Sequence, residues 1–459
     1  MSKSGQSYTV TEVATLLARV GSAALYAQAG FGADAASADI FARAAALPSL
    51  RRIVRLPPVA AAGTDLKGAL ELHTFPELPA AHPDPDKIVL LAFTSGTTGD
   101  PKGVLHSDNT LLANARAMAG AWRHDERIVL YSMSPLTHAI GTIAMAQALV
   151  SGFELVVNDL PAGRSALDWI IETGATYVMG VPTHAIDILD EARRRGHARL
   201  GAVRVFYMGG AAIPRETVRE LLGMGVMPQN VYGMTENGAH QYTLPDDDVD
   251  TIIDSCGTAC AGYEVRIFSQ ENADVAVAAG EIGEIGGRGA CLMLGYFDDQ
   301  TATEQAFNRA GWFMSGDLGT LDALGRLRVV GRKKDIIIRG GRNIHPARIE
   351  DLARAHPAVA KAAAFPVADA RLGEKVCIAV VLRSGFALAA DELLRHLAAV
   401  GLSKYDMPEC YLVLEALPLT PSGKILKRAL VEQVRGGELE PLPVRWRAHP
   451  SDQPSGSQK

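Results

Sequence analysis

Thr94-Ser-Gly-Thr-Thr-Gly-Asp-Pro-Lys-Gly103 is the stretch from which the rest of the chain can be read. It follows residues 88–93, an apolar run of strand length, and precedes a helical pattern over 109–122. Gly96, Gly99 and Gly103 let the backbone come close to a ligand and aim its N–H groups. Thr94, Ser95, Thr97 and Thr98 add hydroxyls that can donate to phosphate oxygens, and Lys102 adds a point charge. The G-x-x-x-x-G-K-S/T spacing of a Walker loop is absent. A flexible Gly/Thr turn is the plain alternative, but hydroxyls, glycines and a lysine gathered in one loop after a strand point to an anion cradle.

Outward from this loop the chain alternates strands and helices. Residues 127–132, 153–157, 175–179 and 203–208 read as strands. Residues 137–150 and segments opening at Pro182 and Pro214 read as helices, proline being tolerated in the first turn. This rhythm predicts α/β layers with parallel pairing. Upstream, 11–29 reads as an amphipathic helix and 57–86 as a connecting loop. Beyond about 250 the strands become short and turn-bounded (265–268, 283–286, 327–330), with hairpin chemistry at Asp322-Ala-Leu-Gly325. A third pattern follows Gly331: helix 346–355, strands 359–366 and 375–382, helix 390–399 and strand 410–414. The expected fold is α/β. It has a large N-terminal domain over 1–331 of layered α/β subdomains plus a β section, a small mobile α+β domain over 332–432, and a flexible tail over 433–459.

The 459 residues are 48% hydrophobic and 21% charged, which excludes wholesale disorder and a fibrous repeat. The net charge of −6 argues against nucleic acid, so any polyanion must be held by a local site. The five cysteines are scattered, as expected in a reducing compartment, and Cys256 and Cys260 read as small buried residues rather than a metal pair. The first residues lack a signal-peptide pattern, and no run is long enough to span a bilayer. A cytoplasmic protein is expected. Arg193-Arg194-Arg195 sits at a helix end, where the dipole favours cations.

With five further motifs in order, the loop resembles the phosphate loop of the adenylate-forming (AMP-binding) superfamily, of the acyl- or aryl-CoA ligase type. The resemblance covers roughly residues 10–430. Tyr207-Met-Gly-Gly-Ala-Ala-Ile-Pro214 resembles the turn lining the adenine pocket, which implies nucleotide contacts at Gly209, Gly210 and Ala211. Val231-Tyr-Gly-Met-Thr-Glu236 resembles the next motif: Tyr232 against adenine, Thr235 on a phosphate and Glu236 on Mg²⁺. Asp317, in Gly311-Trp-Phe-Met-Ser-Gly-Asp317, is implied as the ribose ligand, joined by Arg332. Lys334 falls at the implied hinge, and Gly340-Gly341 on the implied path of an incoming CoA thiol. Lys424, in Pro418-Leu-Thr-Pro-Ser-Gly-Lys424, is the implied bridge between carboxylate and α-phosphate.

The implied reaction is ATP-dependent joining of a carboxylic acid to CoA through an acyl-adenylate, with AMP and pyrophosphate released. Both reactants are anions, which is why the site needs Lys424, Lys102, loop N–H groups and Mg²⁺. His138, in Pro135-Leu-Thr-His138, is the candidate for the acid pocket, with a structural histidine at a helix start as its alternative. His184 and His240 read as structural. No aspartate lies near the first adenine motif to pair an α-ammonium, and the resemblance implies an uncharged medium-chain, alicyclic or aromatic acid. Two alternatives stay open, a ligase loading a carrier protein and a non-catalytic nucleotide-binding relative. The phosphate loop begins after 93 residues, a short lead-in without the family's opening Gly-Asp-x-Val strand. A compact variant, an internal start and a degenerate member all fit that shortness.

Overall fold

A computed structural model describes residues 8–30, 34, 36–56, 83–94, 101–161, 163–419 and 424–446. A seven-stranded sheet forms the centre of the large domain. Its strands Met227–Met234, Val205–Gly209, Tyr177–Gly180, Val129–Ser132 and Glu154–Val157 pair in parallel in that order. Gly238–Tyr242 and Thr258–Ala259 then close one edge antiparallel. Strands that read as nearly continuous apolar runs are covered on both faces, as parallel pairing requires. Tyr131, Phe206 and Met208 are wholly buried with Leu167, Ile170, Ile188 and Leu189 of the flanking helices. The helices begin and end where the sequence offers caps. Ser107 caps Asp108–Ala121, Pro182 opens Pro182–Arg194, and Gly152 and Gly174 end their helices with left-handed backbone. Within the Arg193–Arg195 run, Arg193 pairs with Asp190 and Glu220, and Arg195 with Asp168 and Glu191.

The expected β section is a four-stranded antiparallel sheet of Tyr263–Phe268, Gly283–Gly289, Phe313–Leu321 and Leu327–Arg332. The Asp322–Gly325 turn closes its last hairpin, Gly325 N–H donating to Asp322 O at 3.0 Å. In the small domain, Val359–Asp369 and Gly373–Leu382 form a long antiparallel pair. Cys410–Val413 and the hairpin Ile337–Arg339/Arg342–Ile344 extend it. Helices Pro346–Arg354 and Ala390–Ala399 pack on this sheet through Ile349, Ala353, Leu393 and Leu397. No described helix is long and apolar enough to cross a membrane.

Six segments differ from the sequence expectation. The single helix over 11–29 is a helix, Val10–Arg19, followed by a strand, Ala24–Gln28. Gly21 turns the chain with φ 59°, and the strand pairs in parallel with Arg52–Leu56. After the phosphate loop the chain runs as a strand, Gly103–Ser107, antiparallel to Ile88–Phe93, before the helix starts. The strands Met227–Met234, Gly238–Tyr242 and Phe313–Leu321 carry glycine and polar residues that hide their period, and tertiary pairing forms them. Residues 433–446 are ordered rather than tail. The helix Lys427–Arg435 runs past 433, Leu442–Pro443 pairs with Cys410–Val413, and Val444 and Trp446 pack on the small-domain core. Residues 447–459, and 57–82 of the expected loop, lie outside the described residues.

Gly257 gives a direct test of this packing. Its φ is 67°, and a Cβ there would lie 2.0 Å from Tyr242 O, a backbone atom with nowhere to go. Gly257→Ala is expected to cost about 2–3 kcal/mol of stability. A urea midpoint within error of the parent would show that the edge strand is not held as described.

Candidate functional site

The two domains face each other across a cleft of about 2760 Å³. Ordinary ligand pockets take ~300–1,000 Å³, so there is room for a nucleotide and a second reactant together. The cleft opens at the C-terminal ends of the parallel strands, the usual ligand position in such sheets. Gly209, Gly210 and Ala211 leave the end of Val205–Gly209. Tyr232, Thr235 and Glu236 leave the neighbouring strand Met227–Met234, and all six line the cleft. A Cβ on Gly209 would lie 3.0 Å from Val231 O.

Asp317 and Arg332 form the floor. They are register partners on adjacent strands, with Arg332 Nε 3.1 Å from Asp317 Oδ1. Tyr232 donates its hydroxyl to Asp317 Oδ2 at 3.0 Å. Burial pushes the Asp317 carboxyl above its ordinary pKa, and the Arg332 guanidinium opposes that shift. Lys424 reaches in from the small domain and packs on Gly210, where a Cβ would lie 2.4 Å from Lys424 Cε. Burial lowers the Lys424 pKa, Arg332 adds to this as a like charge, and Asp317 counters it. Lys334 also lines the cleft, in the single turn Lys333–Asp335 between the last large-domain strand and the first small-domain strand. Beside it Lys333 pairs with Glu284 at 2.9 Å, while Glu284 also accepts from Gly316 N–H at 3.1 Å.

The phosphate-loop side is built around Glu236. Its Oε1 accepts from the Tyr296 hydroxyl at 3.0 Å, and burial raises its pKa. The Lys102 ammonium lies 4.7 Å from the centre of the Tyr296 ring. Thr94 N–H donates to Lys102 O at 2.9 Å and closes the neck of the loop. Arg19, from the first helix, donates to Pro101 O at 2.9 Å. His106 is buried behind the loop, with Nε2 2.7 Å from Thr235 O and Nδ1 3.0 Å from Thr110 Oγ1. A carbonyl can only accept, so Nε2 carries the proton there. The residues fit a Mg²⁺ ion. That ion takes one or two carboxylates and fills its remaining positions with water and phosphate oxygens. Glu236 supplies one carboxylate facing the cleft, and no described group of three His, Cys, Asp or Glu forms a closed metal cage.

Of the residues singled out from sequence, Thr94, Gly209, Gly210, Ala211, Tyr232, Thr235, Glu236, Asp317, Arg332, Lys334, His138 and Lys424 line one cleft. Lys102 stands beside it over Tyr296. Ser95, Gly96, Thr97, Thr98 and Gly99 lie outside the described residues. Gly340 and Gly341 are elsewhere, in the turn of a small-domain hairpin, where Gly340 N–H donates to Leu372 O at 2.8 Å. His138 caps the helix Ala139–Ser151 by accepting from Ile140 N–H at 3.3 Å. Burial, with Lys424 nearby, pulls its pKa down to about 4, so it faces the cleft uncharged. Sequence reasoning missed Tyr296, His106, Glu284 and Arg19. His106 lies just past the loop, but no spacing marks the other three, whose roles come from pairing across the fold.

The AMP-binding enzyme family matches residues 5–297, and the AMP-binding enzyme C-terminal domain matches 348–424. The medium-chain fatty-acid–CoA ligase of Escherichia coli K12 is 33% identical over 391 residues, covering 84% of this chain and 69% of that protein. The human mitochondrial medium-chain acyl-CoA ligase ACSF2 is 32% identical, covering 83% and 62%. Among solved structures, ATP-bound MatB from Rhodopseudomonas palustris superposes with a TM-score of 0.80 at 27% identity, covering 94% of this chain and 82% of that one. The O-succinylbenzoate coenzyme A synthetase of Bacillus subtilis with AMP gives 0.72 at 26%, covering 92% and 81%.

The buried histidines set a pH dependence. Burial pulls His184 to about 4 and His240 to about 3. Among the described residues both ring nitrogens of His240 lack a partner, and the ring is wedged between Tyr232 and Tyr263. A histidine held neutral when folded takes up its proton only on unfolding. Its contribution is complete above the unfolded pKa near 6.5 and is lost as pH falls from there toward 3–4. Stability is expected to drop between pH 7.5 and pH 5. His240→Phe should remove about 2 kcal/mol of that drop. Identical pH slopes in urea denaturation of the two proteins would refute this.

Proposed function

The chain belongs to the AMP-binding enzyme family, and on that premise we propose that it joins a carboxylic acid to coenzyme A. The acid is activated by ATP as an acyl-adenylate with loss of pyrophosphate, and AMP leaves when the CoA thiol takes the acyl group. The observation that carries this reading is the entry of Lys424 from the small domain into the cleft shared with Asp317, Arg332 and Glu236. The ligase names of the relatives support it.

In the first step a carboxylate oxygen attacks the α-phosphorus in line with the departing pyrophosphate. The acid is already ionised at neutral pH, so no general base is needed. The obstacle is repulsion between anions and the charge building up at phosphorus. Lys424 would bridge the carboxylate and the α-phosphate, and Lys102, Thr94 and Thr235 would hold the departing phosphates. Asp317 would accept from the ribose hydroxyls, with Tyr232 and Arg332 fixing the orientation of its carboxylate. Glu236 would hold Mg²⁺, which when bound neutralises triphosphate charge. Gly209, Gly210 and Ala211 would lie against the adenine.

In the second step the thiol sulfur attacks the acyl carbon, the bond to AMP oxygen breaks, and the thiol proton is released. Lys424 stands in the way of this attack. Rotation of the small domain at Lys334 would withdraw it and bring the Gly340–Gly341 turn to the cleft. The observed placement, with Lys424 in and that turn out, suits the first step. The cleft that His138 lines also carries Ile140, Ile143, Val181, Pro182, Met234 and Ala239 on its walls. Apolar lining and a neutral histidine in one cleft suit an acid with no charge beyond its carboxylate, of medium length or with a ring, in keeping with the medium-chain relatives.

Acid-dependent exchange of labelled pyrophosphate into ATP, across a panel of acids, followed by thioester formation with CoA, tests the reading. Absence of exchange across the panel would overturn it, and thioester on a holo-carrier protein but not on CoA would replace the acceptor. Lys424→Ala is expected to slow adenylation by about 10²–10³ while largely sparing thioester formation from supplied acyl-adenylate. Equal loss in both steps would refute the role of Lys424. Lys334→Pro should chiefly impair the second step, because proline fixes a backbone angle that has to rotate. Unimpaired thioester formation in that variant would place the hinge elsewhere.

A further inference from the structure

The geometry points to Tyr296 as a positioning residue that sets Lys102 and Glu236 at one fixed spacing around the leaving phosphates and their cation. Resting on the ligase reading above, this adds a residue that no motif marks.

The argument starts from the backbone. Residues 293–297 run as a strap between the two groups. At one end Met293 N–H donates to Glu236 O at 2.7 Å. Along its length, Leu294 N–H donates to Leu105 O at 2.9 Å and Phe297 N–H to Gly103 O at 2.7 Å. Gly295 and Tyr296 pair with Leu105 and Val104 on the strand that leaves the phosphate loop. The strap therefore touches the main chain of Glu236 and the main chain next to Lys102. Gly103 admits this approach, since a Cβ there would already crowd Phe297 Cβ at 3.2 Å.

Tyr296 repeats the same connection with its side chain. Its hydroxyl donates to Glu236 Oε1 at 3.0 Å, and its ring face lies 4.7 Å from the Lys102 ammonium. The residue is buried among Val104, Met293, Ala302 and Phe313, so its ring has little freedom. Its own N–H is tied to Thr303 Oγ1 at 2.9 Å. One rigid side chain thus touches an acid and a base that are 134 residues apart in the chain. A tyrosine suits this place chemically. The phenol leaves the second oxygen of Glu236 available to a cation, and the ring attracts an ammonium without neutralising it. A carboxylate in its place would pair with Lys102 and take it from the phosphates.

Two variants of the full chain separate these contacts. Tyr296→Phe keeps the ring and its packing but removes the hydroxyl. Tyr296→Leu removes the ring as well. ATP binding is measured by titration calorimetry in EDTA and over a Mg²⁺ series, and pyrophosphate exchange is measured beside it. Tyr296→Phe is expected to bind ATP in EDTA within about twofold of the parent. It should need roughly ten-fold or more Mg²⁺ for half-maximal tightening, the size expected for a lost hydrogen bond to a charged group. Tyr296→Leu should also weaken binding in EDTA by roughly two- to five-fold, as Lys102 loses its aromatic seat. A Mg²⁺ curve for Tyr296→Phe that overlays the parent would overturn the inference. So would equal weakening with and without Mg²⁺, the signature of a merely structural residue. Should Tyr296→Leu fail to fold, Tyr296→Phe alone decides. A parent protein that binds ATP and Mg²⁺ but shows no exchange would defeat the ligase reading, while the binding curves still judge Tyr296.

Discussion

The ammonium of Lys424, half-buried in the cleft, is the constraint around which the cleft is organised. Burying a cation is costly unless an anion and hydrogen bonds offset the lost hydration. Here Asp317 supplies the opposite charge, while Arg332 competes for the same carboxylate and pushes against Lys424. The centre of the cleft therefore holds three cations, Lys424, Arg332 and Lys334, against the carboxylates of Asp317 and Asp335, and Lys102 and Glu236 contribute one charge of each sign on the side of Tyr296. Such a cleft favours anionic ligands, as the proposed nucleotide and carboxylate would be. A chain with net charge −6 can hold such ligands because the surplus is local. Gly210 suits its left-handed backbone, φ 84°, and leaves the lysine stem the place where a side chain would lie.

Lysine fits this position better than arginine would. In the proposed reaction the group would bridge two anionic reactants in one step and be absent from the next, and a compact point charge on a flexible stem can be withdrawn without breaking a forked set of bonds. Placing it on the small domain makes its presence depend on domain orientation. Asp317 and Arg332 instead belong to paired strands of the large domain, so the proposed ribose contacts survive the departure of the lysine.

How much of this was legible in the sequence follows from how local each feature is. Gly209-Gly210, Thr235-Glu236, Asp317 and Lys424 were readable because each lies in a short run whose glycines and charges make sense together. The parallel core strands were readable because they are buried on both faces and nearly uniformly apolar. Tyr296 and His106 were not. Tyr296 acquires its role only when Gly295–Tyr296 pairs with Gly103–Ser107, and His106 only when that strand meets Thr235 O. Gly103–Ser107 itself was read as loop because five residues with a histidine and a serine carry too weak a period. The helix expected over 11–29 ran too far because alanines suit both states, and only Gly21 marks the break. The small domain is expected to end at 432 because the residues beyond lack periodicity, yet Leu442–Pro443 is held by pairing with Cys410–Val413.

The position of the hinge follows from strand register. Arg332 is the last residue of its strand and sits opposite Asp317, so it is fixed to the large domain. Ile337 is the first residue of the small-domain hairpin and is fully buried in that domain's core. Only residues 333–336 lie between, and Lys333 is tethered to Glu284 of the large domain. The proposed rotation between the two steps would therefore be absorbed within Lys334, Asp335 and Ile336, at the edge of the cleft itself. A pivot so close to the reacting groups moves distant parts of the small domain far and near parts little. Lys424 and the Gly340–Gly341 turn lie on that domain at different places, so one turn about this pivot can exchange them. The proposed ribose and phosphate contacts lie on the other side of the pivot, which lets an acyl-adenylate stay bound while the surface facing it is replaced.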